Sequence, residues 1–132
     1  MKKQIPTNYE KVGRITMPVA RAAHVKAGDI MINQNHKIHI AGTHKKELAK
    51  VGMTASDFVK MVIENYTRIY KDSETNALIL VVYNEKISNS AVIELNYEAT
   101  KEFWEIKTAS PYRNTFFKNK LLVWGKGAHP LK

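Results

Sequence analysis

Three of the chain's five histidines fall within one stretch, "HKIHIAGTHKKEL", residues 36–48. His44 follows Thr43, which is placed to cap a helix running through "HKKELAKV" and stopping at Gly52. At such a helix start the unpaired N–H groups and the dipole attract anions and favour a neutral imidazole. A neutral histidine beside a held phosphate suits general-base work near neutral pH. Lys45 and Lys46 add positive charge at the same place. The competing reading is a polar capping residue next to a solvated lysine pair. In the preceding strand His39 points away from the Ile38/Ile40 face and is expected to line the same cleft as His44. His36 is expected to be structural or exposed. A metal site is not expected: histidines three apart on a strand face opposite sides, and no cysteine or nearby carboxylate completes a set.

A second cluster lies in "IKTASPYR", residues 106–113. If the strand ends at Pro111, Thr108, Ser110, Tyr112 and Arg113 come close together, and hydroxyls with a guanidinium make a phosphate cradle. Lys118 adds a cation, and Phe116, Phe117 and Trp124 offer rings on which a base can stack. The competing reading is an ordinary strand end and loop with core aromatics. Taken with the histidine cluster, this is an inventory for metal-independent RNA cleavage. A base takes the ribose 2′-OH proton, cations stabilise the phosphorane, and an acid protonates the departing 5′-oxygen. No nucleophile-elbow serine motif and no Walker-type phosphate loop is present, and without cysteine there is no thiolate chemistry.

The elements that must position these clusters read as follows. Residues 1–28 are an arm or a short helix, with "MPVARAAHVKAG" following the helix option. "IMI" at 30–32 and "HKIHIA" at 36–41 read as a short hairpin. Thr54 with Asp57 opens a helix over about residues 55–66, with Phe58, Met61, Val62 and Tyr66 on one stripe. The period then changes to that of strands: "RIYK" at 68–71, "ALILVVY" at 77–83, "SAVIELNY" at 90–97, "FWEIKTAS" at 103–110 and "LLVW" at 121–124. In "FWEIKTAS", strict alternation places Trp104, Ile106 and Thr108 on one face. The expected fold is α+β: N-terminal helices packed on an antiparallel four- to five-stranded β-meander. The whole of 1–132 is expected to be a single domain, with a core over 29–125.

Charge adds a partner class. Residues 1–53 hold ten Lys/Arg against three Asp/Glu, residues 54–100 four against seven, and residues 101–132 seven against two. If the basic first and last thirds meet, they form a face that attracts a polyanion. No apolar run is long enough for a membrane helix, and "MKKQIPTNYEKVGR" has no apolar segment of a secretory signal. No basic amphipathic helix appears, so RNA is favoured over a membrane surface. The lack of cysteine fits a reducing cytoplasm.

From about residue 36 to residue 124 the chain resembles the compact ribonuclease toxins of the barnase–EndoU–colicin–RelE superfamily. It resembles in particular the divergent versions carried by phages and mobile elements and fused to polymorphic toxins. The resemblance rests on "HIAGTHKKELAKVG", the helix after it, the meander, and "WEIKTASPYRNTFFKNKLLVW". It implies that His44 is the acid/base histidine, Thr108 the late-strand hydroxyl and Tyr112 the aromatic hydroxyl of EndoU-like members. Arg113 and Lys46 would contact phosphate. It leaves open whether His36 or His39 is the second histidine, and gives barnase's glutamate no counterpart clearer than Glu47. It implies a small endoribonuclease that needs no cofactor, acts in a cytoplasm and yields a 2′,3′-cyclic phosphate, with an immunity or antitoxin protein as partner. Members of the superfamily have also lost activity while keeping the fold. The alternative is therefore a non-catalytic nucleic-acid- or protein-binding accessory module of a phage or mobile element.

Overall fold

The structure is a computed structural model and describes residues 8–35, 45–50 and 52–125. Thr54 caps the helix that follows it, its hydroxyl accepting from the Asp57 backbone N–H at 3.1 Å. That helix, Ala55–Asn65, buries Phe58 and Val62 of the expected stripe together with Val59, while Met61 and Tyr66 are partly buried against the same core. In chain order the elements are β1 (Tyr9–Ile15), α1 (Met17–Ala23), β2 (Gly28–Asn33), α2 (Lys45–Lys50), α3 (Ala55–Asn65), β3 (Arg68–Lys71), β4 (Leu78–Val82), β5 (Asn89–Glu98), β6 (Phe103–Arg113), a 3₁₀ helix (Asn114–Asn119) and β7 (Leu121–Gly125). Gly52, just past α2, has φ +69°, the left-handed conformation that ends helices.

β3, β4, β5 and β6 form the expected antiparallel meander, but the sheet is larger and mixed. Its strand order is β1-β2-β6-β5-β4-β3-β7, seven strands among the described residues. β2 runs antiparallel to β1 and parallel to β6. The expected hairpin partner of "IMI", residues 36–41, lies outside the described residues; the strand beside β2 on one side is β1, within the segment read as an arm or helix. β1 escapes a periodicity reading because it is an edge strand: only Ile15 of its seven residues is fully buried. Its Lys11 and Arg14 reach Asp29 of β2 at 3.3 and 2.9 Å. Gly13 matters for packing: a Cβ there would stand 2.5 Å from Ile63 Cγ2, so a bare backbone lets α3 close on β1.

The core lies between the sheet and α3. Ile30, Ile32, Leu78, Leu80, Ile93, Leu95, Trp104 and Ile106 meet Phe58, Val59 and Val62. β4 is covered on both faces, as its unbroken apolar run implies: Leu78, Ile79, Leu80 and Val81 are all fully buried. A smaller cluster on the other face joins Tyr70, Ile79, Val81, Val92 and Phe117, with the 3₁₀ helix laid over it. Phe117 stacks on Tyr70 at 4.8 Å between ring centroids.

β6 departs from strict alternation. Ile106 pairs with Leu95 and Thr108 with Glu94, so Lys107 is an extra residue in a β-bulge. Each side chain beyond a bulge changes face. Trp104 and Ile106 therefore join the helix-side core and Ala109 follows them. Thr108, in register with Glu94, goes to the opposite face, correcting the expected Trp104/Ile106/Thr108 stripe. The strand does not end at Pro111 either; it continues to Arg113. Its described pairing with β2 covers only Trp104 and Glu105, so Pro111 sits where that side of β6 has no described ladder partner to deprive of a donor.

Candidate nucleic-acid interface

Where β4, β5 and β6 end beneath the helices, the structure opens a cleft of about 760 Å³. Lys50, the last residue of α2, and Arg113, the last of β6, both line it, above a floor that includes Phe58, Met61, Val82, Ala91 and Pro111. Among the described residues neither cation has a carboxylate partner. Polar groups of the β4–β5 connection complete the wall: Asn84, Asn89 and Ser90, with Ile87 at its turn.

That wall is fixed by a hydrogen-bond network. The Ser90 hydroxyl donates to Asn114 Oδ1 at 2.7 Å and accepts from the Asn84 backbone N–H at 3.0 Å. Asn114 Nδ2 donates to the Asn84 carbonyl at 3.0 Å, and its backbone N–H to the Ser88 carbonyl at 2.9 Å. The network ties the 84–90 connection to the end of β6, the strand that carries Arg113.

Because β6 runs on to Arg113, alternation divides the second sequence cluster, and the bulge at Lys107 decides which part faces the helices. Thr108, Ser110 and Tyr112 share the sheet face opposite the helices, while Arg113 turns toward the cleft, so the four do not form one cradle. Ser110 is 2% exposed and its hydroxyl donates to the Pro111 carbonyl at 3.2 Å, leaving it inaccessible to a substrate. Tyr112 hydrogen-bonds Thr108; burial pushes its phenol up, the Thr108 bond opposes this, and the nearby Glu94 carboxylate adds to the rise. A tyrosine raised in this way stays protonated at neutral pH and serves as a donor, not a base.

Glu94, which sequence reasoning passed over, lies opposite Thr108. Burial pushes its carboxyl above the usual range, Lys120 pulls it back, and Asp72 raises it again. Lys120 Nζ is 3.3 Å from Asp72, whose own carboxyl is held low, chiefly by the Glu74 backbone N–H. Lys107 stands 3.8 Å from both Glu98 and Glu105. Each of these two lysines is thus shared between two carboxylates, and a phosphate gains little there. Electrostatics favour the cleft, where among the described residues the two cations have no carboxylate partner.

The other sequence candidates are dispersed. Lys46 is exposed on α2 and Lys118 is exposed on the 3₁₀ helix. Trp124 packs on the helix side against Tyr66, with centroids 5.2 Å apart, on the opposite face from Tyr112. Phe116 is held edge-on against Tyr112 at 4.5 Å and Phe117 is buried, so neither offers a free ring to a base. His36, His39, His44 and the Lys45 side chain lie outside the described residues. Among the described residues no group of three or more His, Cys, Asp or Glu could hold a metal, and no helix is long and apolar enough to cross a membrane.

Lys50, Asn84 and Asn89 line the candidate cleft, and sequence reading missed them. One signal was available: Lys46 and Lys50 stand four apart and so share a helix face. The amides carried none, because their approach to Arg113 depends on strand register. No family model matches the chain, and neither a curated protein nor a solved structure matches it.

Proposed function

We propose that this protein is a metal-independent endoribonuclease that holds the RNA backbone in the Lys50–Arg113 cleft. The observation that carries the reading is the convergence of these two cations in one cleft. They come from the two basic parts of the chain: α2 packs against β6, and β2 lies beside β6. In this reading His44, the residue before α2, takes the 2′-OH proton as the 2′-oxygen attacks phosphorus. Lys50 and Arg113 offset the charge gathering on the phosphorane. The P–O5′ bond breaks, the 5′-oxygen takes up a proton, and a 2′,3′-cyclic phosphate remains. The meander with α2 and α3 on one side is, in the same proposal, the scaffold of the barnase–EndoU–colicin–RelE superfamily. The site is then cytoplasmic, with an immunity or antitoxin protein as partner.

A second reading has a specific observation behind it. Thr108 and Tyr112 face away from the cleft, and its described lining contains no acid or base. An RNA-binding module without catalysis fits that arrangement. One experiment separates the two: cleavage and binding of a labelled RNA pool in EDTA by the parent, His44→Ala and Arg113→Ala, with circular dichroism as folding control. The ribonuclease reading expects His44→Ala to lose about 10²–10⁴-fold in rate while still binding, and Arg113→Ala to lose both rate and affinity. Binding without cleavage by the parent selects the module. Cleavage that needs a divalent cation refutes the metal-independent chemistry.

A further inference from the structure

The Lys50–Arg113 cleft is far larger than a phosphate, and most of its floor is apolar. We infer that it seats one unpaired nucleobase of a single-stranded RNA, with the adjoining phosphate on Arg113 and Lys50; this rests on RNA being the ligand, as proposed above. Phosphate alone gains nothing from the Met61, Ala91 and Pro111 surfaces, which a solvated anion avoids. A base has two flat apolar faces and a polar edge, and a base together with its ribose and phosphate has room in a cleft of this size. Ile87, 64% exposed, presents a large apolar side chain at the cleft, on a connection held by the Ser90–Asn114–Asn84 bonds. Asn89 is in register with Arg113, and among the described residues its side-chain amide has no hydrogen-bond partner. That amide offers a donor and an acceptor to the edge of a base lying beside a phosphate on Arg113. In a duplex both faces of each base are stacked and its edge is paired, so this floor is out of reach without unpairing. Unpaired bases, by contrast, can be splayed out to meet protein surfaces.

The test uses the full chain and short, fluorescently labelled 2′-O-methyl RNA, which cannot undergo 2′-OH attack. Three probes of equal backbone length are compared: the single strand, its perfect duplex, and a single strand made abasic throughout. The single strand is expected to bind roughly tenfold or more tighter than the abasic strand, and more tightly than the duplex. Ile87→Ala and Asn89→Ala are expected to narrow that gap without changing affinity for the abasic strand. Arg113→Ala is expected to weaken all three probes. Equal affinity for the single and abasic strands, with Arg113→Ala weakening both, overturns the base seat and leaves the backbone reading standing. Binding of all three probes that ignores Arg113→Ala and Lys50→Ala, or no binding of any probe, overturns the RNA reading itself and the base seat with it.

Discussion

Asn114→Ala tests whether the cleft wall is held as the structure shows. The substitution removes two side-chain hydrogen bonds, from Ser90 at 2.7 Å and to the Asn84 carbonyl at 3.0 Å. Each such bond contributes roughly 0.5–1.5 kcal/mol net. Because the second is solvent-exposed and water replaces part of it, the expected loss is about 1–2 kcal/mol. Urea denaturation followed by circular dichroism reads this as a lower midpoint at unchanged slope. Ser90→Ala removes the other end of the shared bond, and Ser90 is 2% exposed, so no water compensates its loss. The double variant is then expected to lose less than the sum of the singles, by about 0.5–1 kcal/mol. Neither change alters charge. RNA affinity is expected to fall for both variants because the wall loosens, while its dependence on salt stays that of the parent. A pair that behaves additively, or an Asn114→Ala variant as stable as the parent, refutes the network as the support of the cleft.

Three further outcomes follow from the same geometry. Two cations line the cleft, so log affinity for single-stranded RNA should fall with log salt by at least about 1.4, and Arg113→Ala should flatten the slope by about 0.7; an unchanged slope removes Arg113 from the backbone contact. Glu94 has its carboxyl raised by burial, so its contribution is present below the unfolded pKa and is lost as pH rises through the folded one. Glu94→Gln should therefore stabilise the protein at neutral pH, by less than about 1 kcal/mol for a half-buried group, with the gain vanishing on acidification; thermal melts across pH read this, and a destabilised variant at neutral pH contradicts the burial argument. Gly13→Ala should cost about 1–2 kcal/mol because its Cβ meets Ile63 Cγ2 at 2.5 Å, and adding Ile63→Ala should abolish that clash penalty in a double-mutant cycle of denaturation midpoints.

Local signals in the chain determined much of the fold. Thr54, Asp57 and the Phe58–Val62 stripe specify α3, because capping and a period of 3.6 act between residues a few positions apart. Gly52 specifies the end of α2 by its freedom at positive φ. The unbroken run in β4 and the alternation in β5 likewise place the meander, since burial on two faces or one leaves its mark in composition. The site was legible only in part: Arg113 and the basic ends of the chain could be singled out, but not their partners. Edge strand β1 pairs with β2 across the intervening α1, and β2 pairs in parallel with β6 some seventy positions away; nothing in either segment encodes its neighbour. The bulge at Lys107 was decided by tertiary structure as well. Alternation tells which side chains share a face only while the ladder stays in step, and the step is set by the hydrogen bonds β6 makes with β5. One extra residue in that ladder exchanges the faces of every side chain after it, turning Thr108 and Tyr112 away from the helices and Arg113 toward the cleft that Lys50 lines.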